Sequence, residues 1–402
     1  VAEDEQQQSA QKSVTQRLLS QVRPQLQRIR PYVPGRPIED VQKEFGLTAV
    51  DKLASNENPI GPSPKALAAI AGMLGELNRY PDGAAQDVRT AIAASMGLTP
   101  AHVFVGNGSD EIIKMIAETF LSPGDEVVTP FPSFAQYSFG AHIMGATVVN
   151  VPLAQGFRYD LPRMLASITE RTKIVYLCSP NNPTGTWLSH GEAADFVAQV
   201  PDDVVVVCDE AYFEYVDEPD PLDSLQFIRE GKTVLSLRTF SKMYGLAGIR
   251  LGYALGDPGL INFMHQVREP FNANSVAQAA AVAALTDSEH VALCRAANQA
   301  GREQLYAGLS ALAVPYIKTQ GNFLIADVGD GLAVFEQLQR RGVIVRAGFP
   351  GLDRYVRISI GTAEENERCL QALAQVIGSS SMLLRSTNNR EENSPAAIFR
   401  DR

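Results

Sequence analysis

The chain has 402 residues, enough for two domains of unequal size, and its 45% hydrophobic and 20% charged residues are ordinary for a globular protein. A formal net charge of -10 offers no basic field for nucleic acid, and no run reaches the roughly 18 apolar residues of a membrane span. The four cysteines (Cys178, Cys208, Cys294 and Cys369) have neither zinc-site spacing nor the pattern of a disulfide framework, which fits a reducing cytoplasm.

The first stretch, "VAEDEQQQSAQKS", is acidic and Gln-rich with no apolar h-region, so no secretory signal is expected. Residues 1–30 are weakly helical with little to form a core, and are expected to be a mobile extension. From residue 102 onward the pattern alternates. Short, nearly continuous apolar runs ("HVFVG", "DEVVTP", "KIVYLCSP", "DVVVVCDE", "KTVLSLRTFS") predict strands buried on both faces. Between them "DEIIKMIAETFL", "FAQYSFGAHIMG" and "HGEAADFVAQV" read as helices. The expectation is an α/β fold: a large domain with a mostly parallel sheet flanked by helices and right-handed crossovers.

The last third differs. One long Ala-rich helix (274–312) is predicted to connect the domains, followed by "NFLIADVG", a helix at 331–342, "VIVRAG", "YVRISIG" and a helix at 363–378. This order fits a smaller α+β domain. The expected division is a segment at 31–58 packing with the small domain, a large domain at 59–275, a small domain at 276–378, and a disordered tail at 379–402.

Ligands in open α/β sheets bind beyond the carboxyl ends of the strands, and the distinctive polar residues fall there. Asp209, behind four valines and a cysteine, is costly to bury unless it has a cationic partner or caps a turn. "GNGSDE" places two glycines before a helix start, where free amides suit an anion; Asp110 and Glu111 also suit a plain helix N-terminus. "SPNNPTG" is a rigid loop whose Asn can donate to an anionic oxygen without carrying charge, or a simple turn. Lys242 is a candidate amine nucleophile, with Arg250 eight residues on; taken alone, such a lysine is more often a surface residue. Together these supply an amine, an anion cradle, a neutral donor and a carboxylate, the four requirements of pyridoxal 5'-phosphate; no metal is expected.

At these residues the chain resembles the class-II-type pyridoxal-phosphate aminotransferases of fold type I, and among them the histidinol-phosphate aminotransferases. The resemblance covers residues 30–378 through "RPYVPG", "LASNENPIGPSP", "LNRYP", "GNGSDE", "CSPNNPTG", "DEAYFEY", "TFSKMYGLAGIRLGY", "GNFL" and "VRISIGT". It implies that Lys242 is the Schiff-base lysine, Asp209 the partner of the ring nitrogen, and Asn182 and Tyr212 donors to the ring oxygen. It implies a phosphate cradle of Ser109, Asp110, Ser241 and Arg250. Phe134 stands where an aromatic, commonly Tyr, stacks on the ring. Tyr80 would reach the phosphate of a neighbouring subunit, which implies a homodimer with shared sites. Arg357 would bind the acidic end of the substrate, in a pocket also lined by Tyr32, Asn322 and Arg346. The implied reaction converts L-histidinol phosphate and 2-oxoglutarate to imidazole-acetol phosphate and L-glutamate in L-histidine biosynthesis. The alternatives on this scaffold are an aromatic-amino-acid aminotransferase and a phosphothreonine-type decarboxylase.

Overall fold

The computed structural model describes residues 16, 18, 19, 21–29 and 35–392, past 378 as backbone alone. Its strands are β1 (Asp51–Lys52), β2 (Val103–Gly106), β3 (Glu126–Phe131), β4 (Thr147–Pro152), β5 (Thr172–Cys178), β6 (Val205–Asp209), β7 (Val234–Thr239), β8 (Gly252–Gly256), β9 (Phe323–Asp327), β10 (Val343–Ile344) and β11 (Tyr355–Ser359). β2 to β8 form one seven-stranded sheet, in the order β2-β8-β7-β6-β5-β3-β4.

The valine-rich strands are buried on both faces, as their unbroken apolar runs require. Val206 and Cys208 join the core on one side of the sheet, and Val205 and Val207 the core on the other, the period-two alternation of a pleated strand. The pairs β4–β3, β3–β5, β5–β6 and β6–β7 are parallel. β8 runs antiparallel to both its neighbours, β2 and β7. Neither β8 nor the edge strand β4 was among the predicted strands. β4 is interrupted by Asn150 and has one buried residue, and β8 is a short Gly-Tyr-Ala-Leu-Gly run, so both lack the continuous branched apolar pattern.

The predicted long helix is two helices. Ser275–Leu285 ends at Thr286, and Asp287, as N-cap, accepts a bond from the His290 amide to start Ser288–Ala311. The first packs on helices Pro64–Met73 and Gln86–Met96, and its buried alanines belong to the large core. The second packs on helix Ala363–Glu392. Antiparallel β9 and β11, with a parallel β1–β10 pair, complete the smaller unit. The segment that precedes the large domain thus contributes a strand to the small one.

The expected tail from residue 379 begins inside helix Ala363–Glu392, and residues 393–402 lie outside the described residues. Of the N-terminal extension, Pro24–Arg28 forms a short 3-10 helix against helix Ala135–Met144, where the Arg23 and Gln25 side chains donate to the Ile143 carbonyl. No helix among the described residues is long and apolar enough to cross a membrane.

Candidate active site

The carboxyl ends of β5, β6 and β7 open into a recess of about 120 Å³. Ser109, Asp110, Phe134, Asn182, Asp209, Tyr212, Ser241, Lys242 and Arg250 all face it. It adjoins a wider cleft of about 520 Å³ between the large and small units, into which Arg346 and Arg357 project. The recess residues, from Ser109 to Arg250 in sequence, therefore converge because each follows a strand or opens a helix at one edge of the large sheet.

The far end of the recess is an anion cradle. Helix Ser109–Phe120 starts at Gly108 with no side chain capping it, so its first amides remain available to a ligand. Gly108 has φ +83°, and a Cβ there would stand 2.4 Å from Arg250 Nη2. A Cβ on Gly252 would stand 2.6 Å from the Ser109 nitrogen. Only glycine permits this approach of strand, helix start and guanidinium. Arg250 itself adopts a left-handed backbone (φ +60°), and its guanidinium donates to the Ala247 carbonyl at 3.1 Å, Asp110 Oδ2 at 3.3 Å and Ser241 Oγ at 3.4 Å. The preceding turn depends on Gly245 (φ +67°), where a Cβ would lie 2.3 Å from the Gly61 carbonyl oxygen.

Asp209 ends β6, 3% exposed. Oδ2 accepts a bond from the Tyr137 hydroxyl at 2.6 Å and Oδ1 accepts from the Ala211 amide at 3.1 Å. Burial pushes its carboxyl up to about 6, against the lowering effect of these two bonds. Lys242 Nζ donates to the Ser55 carbonyl at 3.1 Å. Burial, followed by the Arg357 charge, holds the ammonium down to about 8. A carboxylate seeking a cation and an amine ready to lose its proton thus share one recess.

On the cleft side, Arg357 Nη1 donates to Asn182 Oδ1 at 2.6 Å and Nη2 to the Ala54 carbonyl at 2.7 Å. Arg346 is joined to Arg357 by two backbone bonds. Tyr212 Oη accepts from Asn56 Nδ2 at 2.9 Å. Two predicted residues stand elsewhere, and a third is not among the described residues. Asn322 is fully buried behind the cleft, with Nδ2 on the Asn56 carbonyl at 2.9 Å; it supports the wall instead of lining it. Tyr80 is 83% exposed and stacked on Phe271, outside the recess of its own chain. Tyr32 lies outside the described residues.

The sequence pattern of the family "Aminotransferase class I and II" matches residues 49–373. The chain belongs to this family. It is similar to a histidinol-phosphate aminotransferase of Moorella thermoacetica, 47% identical over 352 residues, 87% of this chain and 91% of that one. A protein of the same name from an Anaeromyxobacter species is 48% identical, covering 89% of this chain and 99% of the relative. Among solved structures, histidinol-phosphate aminotransferase from Sinorhizobium meliloti in complex with pyridoxal-5'-phosphate aligns with a TM-score of 0.83 at 29% identity, over 90% of this chain and 98% of that one. Thermus thermophilus aspartate aminotransferase with maleate aligns with a TM-score of 0.77 at 25% identity, over 88% and 99% of the two chains.

The residues of this aminotransferase fit the family's cofactor. The uncapped helix start and Arg250 suit a phosphate, buried Asp209 suits a protonated ring nitrogen, and Lys242 suits an aldehyde. Sequence reasoning did not single out Tyr137 or Asn56, and read Glu111 only as an acid suited to a helix N-terminus. Tyr137 is a helix-face aromatic whose spacing looks like any core position. Asn56 lies within the quoted "LASNENP" motif, without an assigned role. Glu111 Oε2 accepts from the Asn107 amide at 2.6 Å and Asn272 Nδ2 at 2.8 Å, fixing the turn that leads into the cradle.

Proposed function

We propose that this aminotransferase carries the amino group of L-histidinol phosphate to 2-oxoglutarate, giving imidazole-acetol phosphate and L-glutamate in L-histidine biosynthesis. The observation that carries this reading is the continuity of the recess holding Lys242, Asp209 and Arg250 with a cleft bearing Arg346 and Arg357. The relatives of the same name, at 47% and 48% identity across most of the chain, support the choice of substrate.

When bound, pyridoxal phosphate supplies an aldehyde carbon that joins to amines and a ring that takes up electrons from the substrate Cα. In this reading the amides at Ser109 and Asp110, with Ser241 and Arg250, hold its phosphate. Asp209 would keep the ring nitrogen protonated, Asn182 and Tyr212 would donate to the ring oxygen, and Phe134 would pack on the ring. Lys242 would hold the aldehyde carbon and, as a free amine, would serve as general base and acid for the proton at the substrate Cα. An amine held near 8 supplies enough of both protonation states at neutral pH to serve each role. Arg357 and Arg346 receive the anionic group, which is a phosphate on the donor and a carboxylate on the acceptor. A guanidinium fork binds either one.

The same reading places the chain in the cytoplasm as a homodimer. Exposed Tyr80 would serve the phosphate of the second subunit. The large unit would bind the cofactor, and the small unit, with residues 31–58, would bring Arg346 and Arg357 to the substrate. A two-substrate assay tests the proposal: histidinol phosphate with 2-oxoglutarate should be turned over with glutamate formed. Turnover of phenylalanine without histidinol phosphate, or release of carbon dioxide, would replace it.

A further inference from the structure

We infer that Tyr137 is a positioning residue for the reaction: its hydroxyl, on Asp209 Oδ2 at 2.6 Å, fixes and sustains the carboxylate that partners the ring nitrogen. The inference rests on the proposed role of Asp209.

The placement is built in from several directions. Tyr137 is 1% exposed, and its ring stacks on Tyr176 of β5 with centroids 4.1 Å apart and planes 12° apart. It follows Phe134 by three residues across the start of helix Ala135–Met144, and the two rings meet edge to face at 5.7 Å. One helix start therefore carries both the ring expected to pack on the cofactor and the hydroxyl that aims its counter-ion. In the sheet, Cys178 of β5 pairs with Asp209, so Tyr176 lies two residues back along the neighbouring strand.

The chemical identity of the donor matters. A cationic side chain on Asp209 would neutralise the carboxylate and compete with a protonated ring nitrogen. A phenol donates one bond and leaves the charge in place. Burial, followed by the Asp209 charge, pushes the Tyr137 hydroxyl well above its ordinary range, so the proton stays on Tyr137 and the bond keeps one direction. The Ala211 amide takes Oδ1, which leaves a lone pair on each oxygen for the recess.

The Ala211 amide shares the lowering effect with Tyr137, and the neighbouring carboxylates oppose it. Asp110 and Glu210 are like charges and push its carboxyl upward. Tyr176, Cys178 and Cys208 are raised chiefly by burial, with the neighbouring carboxylate charges adding to it, so they remain neutral. Tyr159 and Tyr212 are raised chiefly by burial and also remain neutral. Tyr137 is thus the one side chain whose bond is among the influences lowering Asp209.

The test uses the full chain with Tyr137→Phe, Asp209→Asn and the double variant, read in two ways. The first is the carboxylate infrared band of the cofactor-depleted protein labelled with ¹³C-aspartate, followed against pH. The second is the pyridoxal-phosphate Kd. Loss of a bond to a charged group should raise the Asp209 midpoint by about one pH unit and weaken Kd about tenfold. In the Asp209→Asn background, Tyr137→Phe should change Kd less than about twofold. An unchanged midpoint, or an equal loss of affinity in both backgrounds, would overturn the inference. Asp209→Asn with undiminished affinity would instead remove the ring-nitrogen role itself. If Tyr137→Phe does not fold, 3-fluorotyrosine at position 137, a stronger donor, should lower the midpoint; no movement would count against the inference.

Discussion

Arg357 Nη1 donates to Asn182 Oδ1 at 2.6 Å, a bond that joins β11 of the small unit to the Pro-rich loop after β5 of the large one. The arginine proposed for the substrate anion and the asparagine proposed for the cofactor oxygen therefore hold one another. Substrate and cofactor binding should be coupled through this pair. Arg357→Lys keeps the charge but cannot serve Asn182 and the Ala54 carbonyl together. The expected loss is about a hundredfold in kcat/KM, most of it in KM, with a smaller weakening of pyridoxal-phosphate affinity. Steady-state kinetics with both substrates check this; an effect confined to kcat would place Arg357 elsewhere in the reaction.

Lys242 carries the pH dependence of cofactor capture. Only the neutral amine attacks an aldehyde, and its folded value lies near 8. Below that value the capture rate of the cofactor-free chain should rise about tenfold per pH unit, then level off. Because the folded value is below the ordinary 10.5, the folded state sheds this proton first. Stability from this group alone therefore rises with pH between the two values. Stopped-flow mixing at several pH values gives the profile, and Lys242→Ala should abolish the visible band of the bound cofactor.

Asp209 has the opposite linkage. Its value rises on folding from 3.8 to about 6, so its contribution to stability is full below the lower value and lost as pH rises through the upper one. A two-unit shift corresponds to about 3 kcal/mol. The cofactor-free Asp209→Asn variant should melt at or above the wild-type temperature at pH 7 to 8, yet lose activity by orders of magnitude. Calorimetry at pH 5 and pH 8 separates the two variants. A variant less stable than wild type at pH 8 would show that the charge is compensated in the empty recess.

Tyr80 tests whether sites are shared. It is exposed and contacts Phe271, so Tyr80→Ala should leave the fold intact. Mixing inactive Tyr80→Ala and Lys242→Ala chains through a denature-and-renature step should restore roughly a quarter of wild-type activity. Half of the dimers would then be hybrids with one intact site each. No recovery on mixing would place Tyr80 outside the partner's site.

The residues that line the recess were legible in the sequence because each sits in a loop or helix start with a strong chemical signature. Lys242, Asp209, Asn182 and the Gly108–Asp110 turn follow apolar runs directly, and an open sheet sends all such ends to one edge. Strand direction was not legible. β8 is antiparallel because the chain from Lys242 turns back through Gly245 and Arg250, and a path of that kind is set by tertiary contact with Gly61 and Asp110. Asn322 illustrates a second limit. A motif places a residue beside a strand, but only packing decides which way its side chain goes, and here it supports Asn56 from behind. Tyr137 illustrates a third, since a buried tyrosine in a helical pattern looks like core until its hydroxyl is seen on Asp209.

The most direct measurement is the specificity of amino transfer by the purified, cofactor-loaded chain with 2-oxoglutarate as acceptor, comparing L-histidinol phosphate with L-phenylalanine. The expected result is a kcat/KM for histidinol phosphate larger by at least about a hundredfold, because Arg346 and Arg357 would meet a phosphate dianion on that donor but only a singly charged carboxylate on phenylalanine. Glutamate formation from phenylalanine with none from histidinol phosphate would contradict the assignment.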